Sequence, residues 1–212
     1  NSTMPTPDLH IIAFSVPYPP NYGGAMEVWN RINALHKAGV RIKLHCFLYG
    51  PYLPREEIKE VTAEVHYYPR SVWPVFFTKG QPFVISSRKN NLLLKKLKED
   101  SSPILFEGMQ TTGWVNELDG RKKLLRAHNV EHKYYSQLAQ NSGGFRSIIF
   151  TREAQCLQEY ETNQAKRFDQ IFTISPADQE WFQQQGASSI LVPPFHGFSK
   201  ADIAPGIGNY LL

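Results

Sequence analysis

Seven short apolar runs, each followed by enough chain for a helix before the next, constrain this sequence more than any other feature. They fall at 9–16 (LHIIAFSV), 41–49 (RIKLHCFLY), 64–68 (EVHYY), 103–107 (PILFE), 122–127 (KKLLRA), 170–174 (QIFTI) and 189–192 (SILV). Runs rich in β-branched and aromatic residues at this spacing predict strands alternating with helices. The first, fourth and sixth are apolar at consecutive positions, which suits strands covered on both faces. The expected fold class is therefore α/β, a Rossmann-like parallel sheet with helices on both sides.

The spacers carry helix signals. Ala25 to Lys37 places Val28, Ile32 and Leu35 on one stripe, and Gly39 stands where a helix C′ glycine belongs. Residues 83–99 and 144–168 read as two longer helices. Ser175, Pro176 and Asp178 supply an N-cap, a first-turn proline and a first-turn acid. With 42% hydrophobic residues a substantial core is available. From Pro193 to Gly208 the chain is rich in Pro and Gly, and Asn209–Leu212 resembles the start of another strand. Residues 1–195 are thus expected to form one domain, with 196–212 a linker into a C-terminal domain of a larger protein. Asn1 to Thr3 precede Met4 and are read as lying outside the natural start.

A net charge of +4 is too mild to indicate a nucleic-acid binder but allows anionic small molecules. The two cysteines, Cys46 and Cys156, lack metal-type spacing and are read as buried thiols of a reducing compartment, hence a cytoplasmic location. No run approaches the roughly 20 apolar residues of a membrane span, and no signal-peptide layout is present.

Two segments carry chemistry. The first is the loop after the first strand, VPYPPNYGGAMEV, in which prolines restrict the chain and Gly23 and Gly24 open a helix. Ligands of parallel α/β sheets bind beyond the carboxyl ends of the strands, and a helix N-terminus there offers unpaired N–H groups to a phosphate. Glycines let that backbone approach closely. The pattern is neither G-x-G-x-x-G nor G-x-x-x-x-G-K-[ST], and the second strand lacks a ribose-binding acid, which disfavours a dehydrogenase.

The second segment is RAHNVEHKYYSQLA at 126–139. Asn129 can cap a helix from Val130, leaving His128 at the end of the fifth strand, facing the same crevice as Gly23 and Gly24. A neutral imidazole there can donate a hydrogen bond to a ligand hydroxyl or phosphate. His128, Glu131 and His132 also spell H-x-x-E-H, the inverted zinc-peptidase signature, which needs both histidines on one helix. The strand running into His128 argues against that, so no metal is expected.

The loop P-x-P-P-x-x-G-G at 17–24, R-x-H-N-V-E at 126–131 and T-I-S-P-A-D at 173–178 together resemble the N-terminal domain of GT-B glycosyltransferases, in particular glycosyltransferase family 4. The resemblance implies a two-domain enzyme that moves a hexosyl group, mannosyl among them, from a nucleotide sugar to an acceptor with retention. Polysaccharide biosynthesis is the implied setting, and neither a cofactor nor an obligatory metal is implied. His128 would be the catalytic residue near the transferred sugar. Gly23, Gly24, Tyr22, Glu107 and Asn129 would bind substrate, the glycines facing the donor diphosphate. The nucleotide would be held mainly by the C-terminal domain, whose E-x7-E pair is not carried over to Glu56/Glu64, Glu99/Glu107 or Glu153/Glu161 here. A GT-B nucleotide-sugar epimerase and a non-catalytic phosphate- or sugar-binding module are the rival readings.

On the acceptor side the aromatic segment 71–85 reads as a core-packing connector, with a membrane-contacting edge as the alternative. Arg88, Lys89, Lys95, Lys96 and Lys98 accompany Leu92–Leu94 and Leu97 on a basic amphipathic helix. That helix suits a solvated face or peripheral contact with anionic lipid, and the acceptor is expected to be a sugar or a lipid-linked sugar.

Overall fold

The computed structural model describes residues 7–71 and 80–194. The aromatic stretch 72–79, the linker after 194 and the first six residues lie outside the described residues, and with them the readings placed there.

All seven expected strands are present: β1 (Asp8–Ala13), β2 (Arg41–Leu48), β3 (Glu64–Pro69), β4 (Ile104–Glu107), β5 (Lys123–Ala127), β6 (Gln170–Thr173) and β7 (Ser189–Leu191). They form one parallel sheet in the order β3-β2-β1-β4-β5-β6-β7, so the direction of winding reverses between β1 and β4. Side chains alternate across the sheet, as strand geometry requires. On one face Ile11, Leu44 and Leu105 pack with Val28 and Ile32 of α1 (Gly23–Lys37). On the other, Ile12, Phe47, Phe106 and Leu125 meet Leu93 and Leu97 of α3 (Asn91–Leu97), Leu157 of α5 (Gly144–Gln164) and Phe182 of α6 (Pro176–Gln184). Two apolar cores therefore sandwich the sheet. Gly39, at φ +83°, ends α1 as expected, and the Ser175 hydroxyl caps α6 through the Asp178 N–H.

The single helix expected over 83–99 is two: α2 (Phe83–Ser86) and α3, separated by a turn at Ser87–Asn90. Asn90 accepts from the Leu92 N–H and restarts the helix, so Arg88 sits in the turn rather than on a basic helical face. That face is short. Lys96 pairs with Glu99, and Lys89 lies over the Trp114 ring and near Glu117. Cys46 is fully buried and Cys156 half-buried, and both are free.

Glu153 and Glu161, two turns apart on α5, show what one of the three E-x7-E pairs does here. The Glu153 carboxylate accepts from the N–H groups of Phe83 and Val84, capping α2. Glu161 accepts from the N–H groups of Glu131 and His132 at the start of α4 (Glu131–Gln140), and from the His132 ring. Asn129 therefore does not cap α4, contrary to expectation. A buried carboxylate from another helix does so, bringing a full charge to the positive end of the helix dipole. Glu161→Ala, which strands these donors, is expected to cost about 3 kcal/mol in urea unfolding.

A buried polar row crosses the first three strands. The Tyr68 hydroxyl lies 2.9 Å from His45 Nδ1, His45 Nε2 is 2.8 Å from His10 Nδ1, and His10 Nε2 is 3.1 Å from Asp100. Every group is satisfied when both histidines are neutral and each donates onward, Tyr68 to His45 to His10 to Asp100. Burial, reinforced by neighbouring His10 and His66, holds the His45 imidazole well below its usual range. Burial also lowers His10 against the opposing pull of Asp100. The unfolded chain binds these protons more readily, so this contribution to stability is complete above pH ~6.5 and declines as pH falls below it. Thermal melts are expected to show Tm dropping from pH 6.5 to 5, and His45→Gln should flatten that drop; an unchanged slope in the variant would contradict the role given to the row.

Candidate functional site

The chain leaves β1 at Phe14 and reaches α1 through a loop containing Pro17, Pro19 and Pro20, with a cis Tyr18–Pro19 bond. The Tyr22 hydroxyl is 2.6 Å from Ser15 Oγ, and its ring packs edge-on against Tyr52. These contacts tie the loop to its own base. Tyr22 occupies the N-cap position of α1 but supplies no side-chain cap, and no acid stands in the first turn. The first bond of the helix runs from the Met26 N–H to the Tyr22 carbonyl. Among the described residues the N–H groups of Gly23, Gly24 and Ala25 thus have no acceptor. The two glycines differ. A Cβ at Gly24 would stand 3.0 Å from Phe14 Cζ and 3.2 Å from Tyr22 Cε2, whereas one at Gly23 would meet nothing within 4 Å. Gly24 is needed for packing; Gly23 leaves the helix end open.

Directly beneath that end lies a buried ion cluster joining α1 to the switch point of the sheet. His128, just past β5, places Nδ1 3.0 Å from Glu27 Oε2 and Nε2 3.1 Å from Glu107 Oε2. Arg31 bridges the same two carboxylates, at 2.9 Å from Glu27 and 2.6 Å from Glu107, and Arg126 pairs with Glu27 from within β5. Burial alone would suppress the charge on His128, but the two carboxylates outweigh it and raise the imidazole to about 9. Burial would likewise raise Glu27 and Glu107, yet the facing cations hold Glu27 well below the usual carboxylate range and lower Glu107 as well. Among the described residues, two carboxylates stand against two guanidiniums and an imidazolium, one positive charge more than negative.

This overturns the expected state of His128. It is an imidazolium whose two N–H groups are both committed, rather than a neutral ring with a donor to spare. Glu107 is completely buried, so it holds His128 and Arg31 and does not reach the cleft surface.

Above the cluster opens a cleft of about 650 Å³ whose lining includes Tyr22, Gly23, Gly24, His128 and Asn129. The residues expected to converge across more than a hundred positions do share one pocket mouth, and Asn129, exposed and free of capping duty, faces it. Two further lining residues escaped sequence reasoning in this role. Glu131, only 5% exposed, makes no side-chain hydrogen bond among the described residues. Burial and then the Glu161 charge push its carboxyl up to about 7, against His128 and Arg88. Arg88, also buried, donates to the carbonyls of Phe14 and Val84 and makes no ion pair among the described residues. The pattern H-x-x-E-H is broken structurally: His128 precedes α4, its nitrogens serve Glu27 and Glu107, and His132 serves Glu161. No group of three or more potential metal ligands occurs among the described residues.

No protein-family model matches the chain. A Klebsiella pneumoniae protein described as an uncharacterized 44.6 kDa protein in cps region is 25% identical over 182 residues, covering 78% of this chain and 45% of that protein. The chain therefore spans less than half the length of that curated relative. Among solved structures, Phytolacca americana UGT2 complexed with UDP-2fluoro-glucose and pterostilbene matches 89% of this chain and 54% of its own, at 10% identity and a TM-score of 0.46. The N-terminal domain of Candida albicans trehalose-6-phosphate phosphatase covers 91% of this chain and 49% of its own, at 12% identity and a TM-score of 0.44.

The cluster makes a spectroscopic prediction. Because the folded pKa of His128 lies above the unfolded value near 6.5, its stabilisation is complete below pH ~6.5 and is lost as pH rises through about 9. Nitrogen NMR should find the ring doubly protonated at pH 7.5. Glu27→Gln should bring its titration midpoint down by about a unit or more, and a wild-type midpoint below 7 would refute the ion cluster.

Proposed function

We propose that this chain is the N-terminal, acceptor-side half of a retaining glycosyltransferase of GT-B architecture, of the family 4 kind, moving a hexosyl group from a nucleotide sugar to a sugar or lipid-linked acceptor. The carrying observation is the convergence, at the switch point of a parallel sheet, of three N–H groups at Gly23, Gly24 and Ala25 that have no acceptor among the described residues with a buried cluster that holds three cations against two carboxylates there. Transfer of a glycosyl group separates charge: the sugar gains oxocarbenium character while negative charge grows on the departing diphosphate. Fixed donors aimed at that diphosphate stabilise the transition state without having to reorganise. His128 acts here as part of the fixed positive charge that faces the negative charge growing on the departing diphosphate, rather than as a proton carrier, since both of its N–H groups are held by Glu27 and Glu107. Asn129 and Tyr22 shape the sugar pocket, and Glu107 keeps His128 in place.

The relative in a cps region supports a place in polysaccharide assembly. Among the described residues no helix is long and apolar enough to cross a membrane, and a cytoplasmic protein working at the membrane face accommodates a lipid-linked acceptor. The nucleotide and the identity of the hexose, mannose included, would be set by a second domain. This chain alone should bind nucleotide sugars weakly and show no turnover; full activity from it would count against the two-domain reading. In the longer protein, Gly23→Val places a side chain in open space at the helix end. It should leave Tm within about 2 °C of wild type and lower kcat/KM for the nucleotide sugar by tenfold or more. Product NMR should show the donor's anomeric configuration retained; inversion, or turnover with donor alone, would sink the proposal.

A further inference from the structure

Arg88 is an unusual residue for a solvated loop. It is 92% buried, and of its donors Nε is used by the Phe14 carbonyl at 3.1 Å and Nη1 by the Val84 carbonyl at 2.9 Å. Nη2 makes no hydrogen bond among the described residues, and the side chain lines the cleft. No carboxylate pairs with it there. A guanidinium is costly to bury without a counter-ion, and two backbone carbonyls do not supply one. Arg70 stands close by. Its Nε donates to Ser87 Oγ at 2.9 Å, its plane lies over the rings of Tyr49 and Phe83, and among the described residues it too lacks an ion pair. Burial first, and then the repulsion of Arg70, draw Arg88 down to about 10, with Glu131 offsetting part of this.

The wall that carries these arginines is continuous with a second cavity. Arg70 and Tyr135 line both the cleft and an adjoining groove of about 590 Å³. That groove is mainly apolar: Phe83, Ile149 and Phe150 line it, together with Phe145 and Ile148, which are 76% and 66% exposed. Exposed large apolar side chains around one groove mark a binding surface more often than a stray patch. A groove of this kind opening onto two guanidiniums that have no ion pair among the described residues is complementary to a molecule with an apolar tail and an anionic head.

We propose that Arg88 and Arg70 form a phosphate-binding subsite for an acceptor whose apolar chain lies in the Phe83–Phe145–Ile148 groove, an amphipathic phosphate or diphosphate ester. The proposal rests on the sugar-transfer reading only in calling that ligand the acceptor. The binding itself involves no transfer. Arg70, with only Nε committed among the described residues, can offer both terminal nitrogens to phosphate oxygens, and Arg88 adds the two N–H groups of Nη2. The donor diphosphate, at the α1 N-terminus, is left to Gly23 and Gly24.

Calorimetry on this chain at pH 7 with geranyl diphosphate, inorganic pyrophosphate and geraniol tests the site. Geranyl diphosphate should bind about tenfold or more tightly than either part alone. Arg88→Lys should weaken it about tenfold, since an ammonium cannot hold the Phe14 and Val84 carbonyls and also reach a phosphate as the planar guanidinium does, and Arg70→Met should weaken it several-fold even where the buried variant folds poorly. Ile148→Asp, an exposed change, should bring geranyl diphosphate down to the pyrophosphate level while leaving pyrophosphate itself unaffected. Equal affinities for geranyl diphosphate and pyrophosphate would overturn the proposal, as would indifference to all three variants. It would also fail if UDP displaced geranyl diphosphate completely, since the arginines would then belong to the donor, or if nothing bound because the chain's own residues fill the groove. Failure of these binding arms leaves the transfer assay of the longer protein standing, and the reverse also holds, so the two ideas fall separately.

Discussion

The contact between Glu27 and His128 organises this molecule. It joins the second turn of the first helix to the end of the fifth strand, 101 positions later in the chain, and it does so across the point where the sheet changes its direction of winding. A carboxylate and an imidazole buried together are each expensive to desolvate. Glu107, Arg31 and Arg126 surround the pair so that every charge faces an opposite one. Removing either carboxylate would leave two or more cations uncompensated in the interior, so the two glutamates are the members the arrangement can least lose.

The position of the cleft follows from that cluster. Helix α1 is pinned so that its unpaired N–H groups emerge above the excess positive charge, and α4 is pinned by Glu161 so that Glu131 and Asn129 face the same space. Glu153 does the same for α2, fixing the turn that carries Arg88. Two glutamates on one face of α5 therefore set the far wall, while one glutamate in α1 sets the near one. Among the described residues, polar groups lining the cleft that could meet a ligand include the Gly23 and Gly24 amides, the remaining donors of Arg88 and Arg70, Gln110, Glu131 and Asn129. His128, the most conspicuous side chain in the sequence, commits both of its N–H groups to Glu27 and Glu107.

Much of the fold could be read from the chain because strand and helix signals are local. All seven strands, the Gly39 terminus and the Ser175 cap follow from periodicity and capping chemistry within a few residues. The meeting of Gly23 with His128 was also legible, since both stand at carboxyl ends of parallel strands. What escaped were partners distant in sequence. Glu27 looks like any polar residue of a half-exposed helix until β5 is laid beside it. Glu161 looks like a surface acid until the start of α4 is laid against it, so Asn129, the nearer polar residue, reads as the cap. Arg88 reads as part of a basic helix because nothing nearby reveals that Asn90 restarts the chain after a turn.

Amide NMR of this chain titrated with a nucleotide sugar at millimolar concentration addresses the account most directly. A ligand seated on the α1 N-terminus should move the Gly23, Gly24 and Ala25 resonances furthest, with Asn129 following and the His10–His45 row undisturbed. Perturbations centred on the opposite, amino-terminal edge of the sheet, with the two glycines silent, would contradict it.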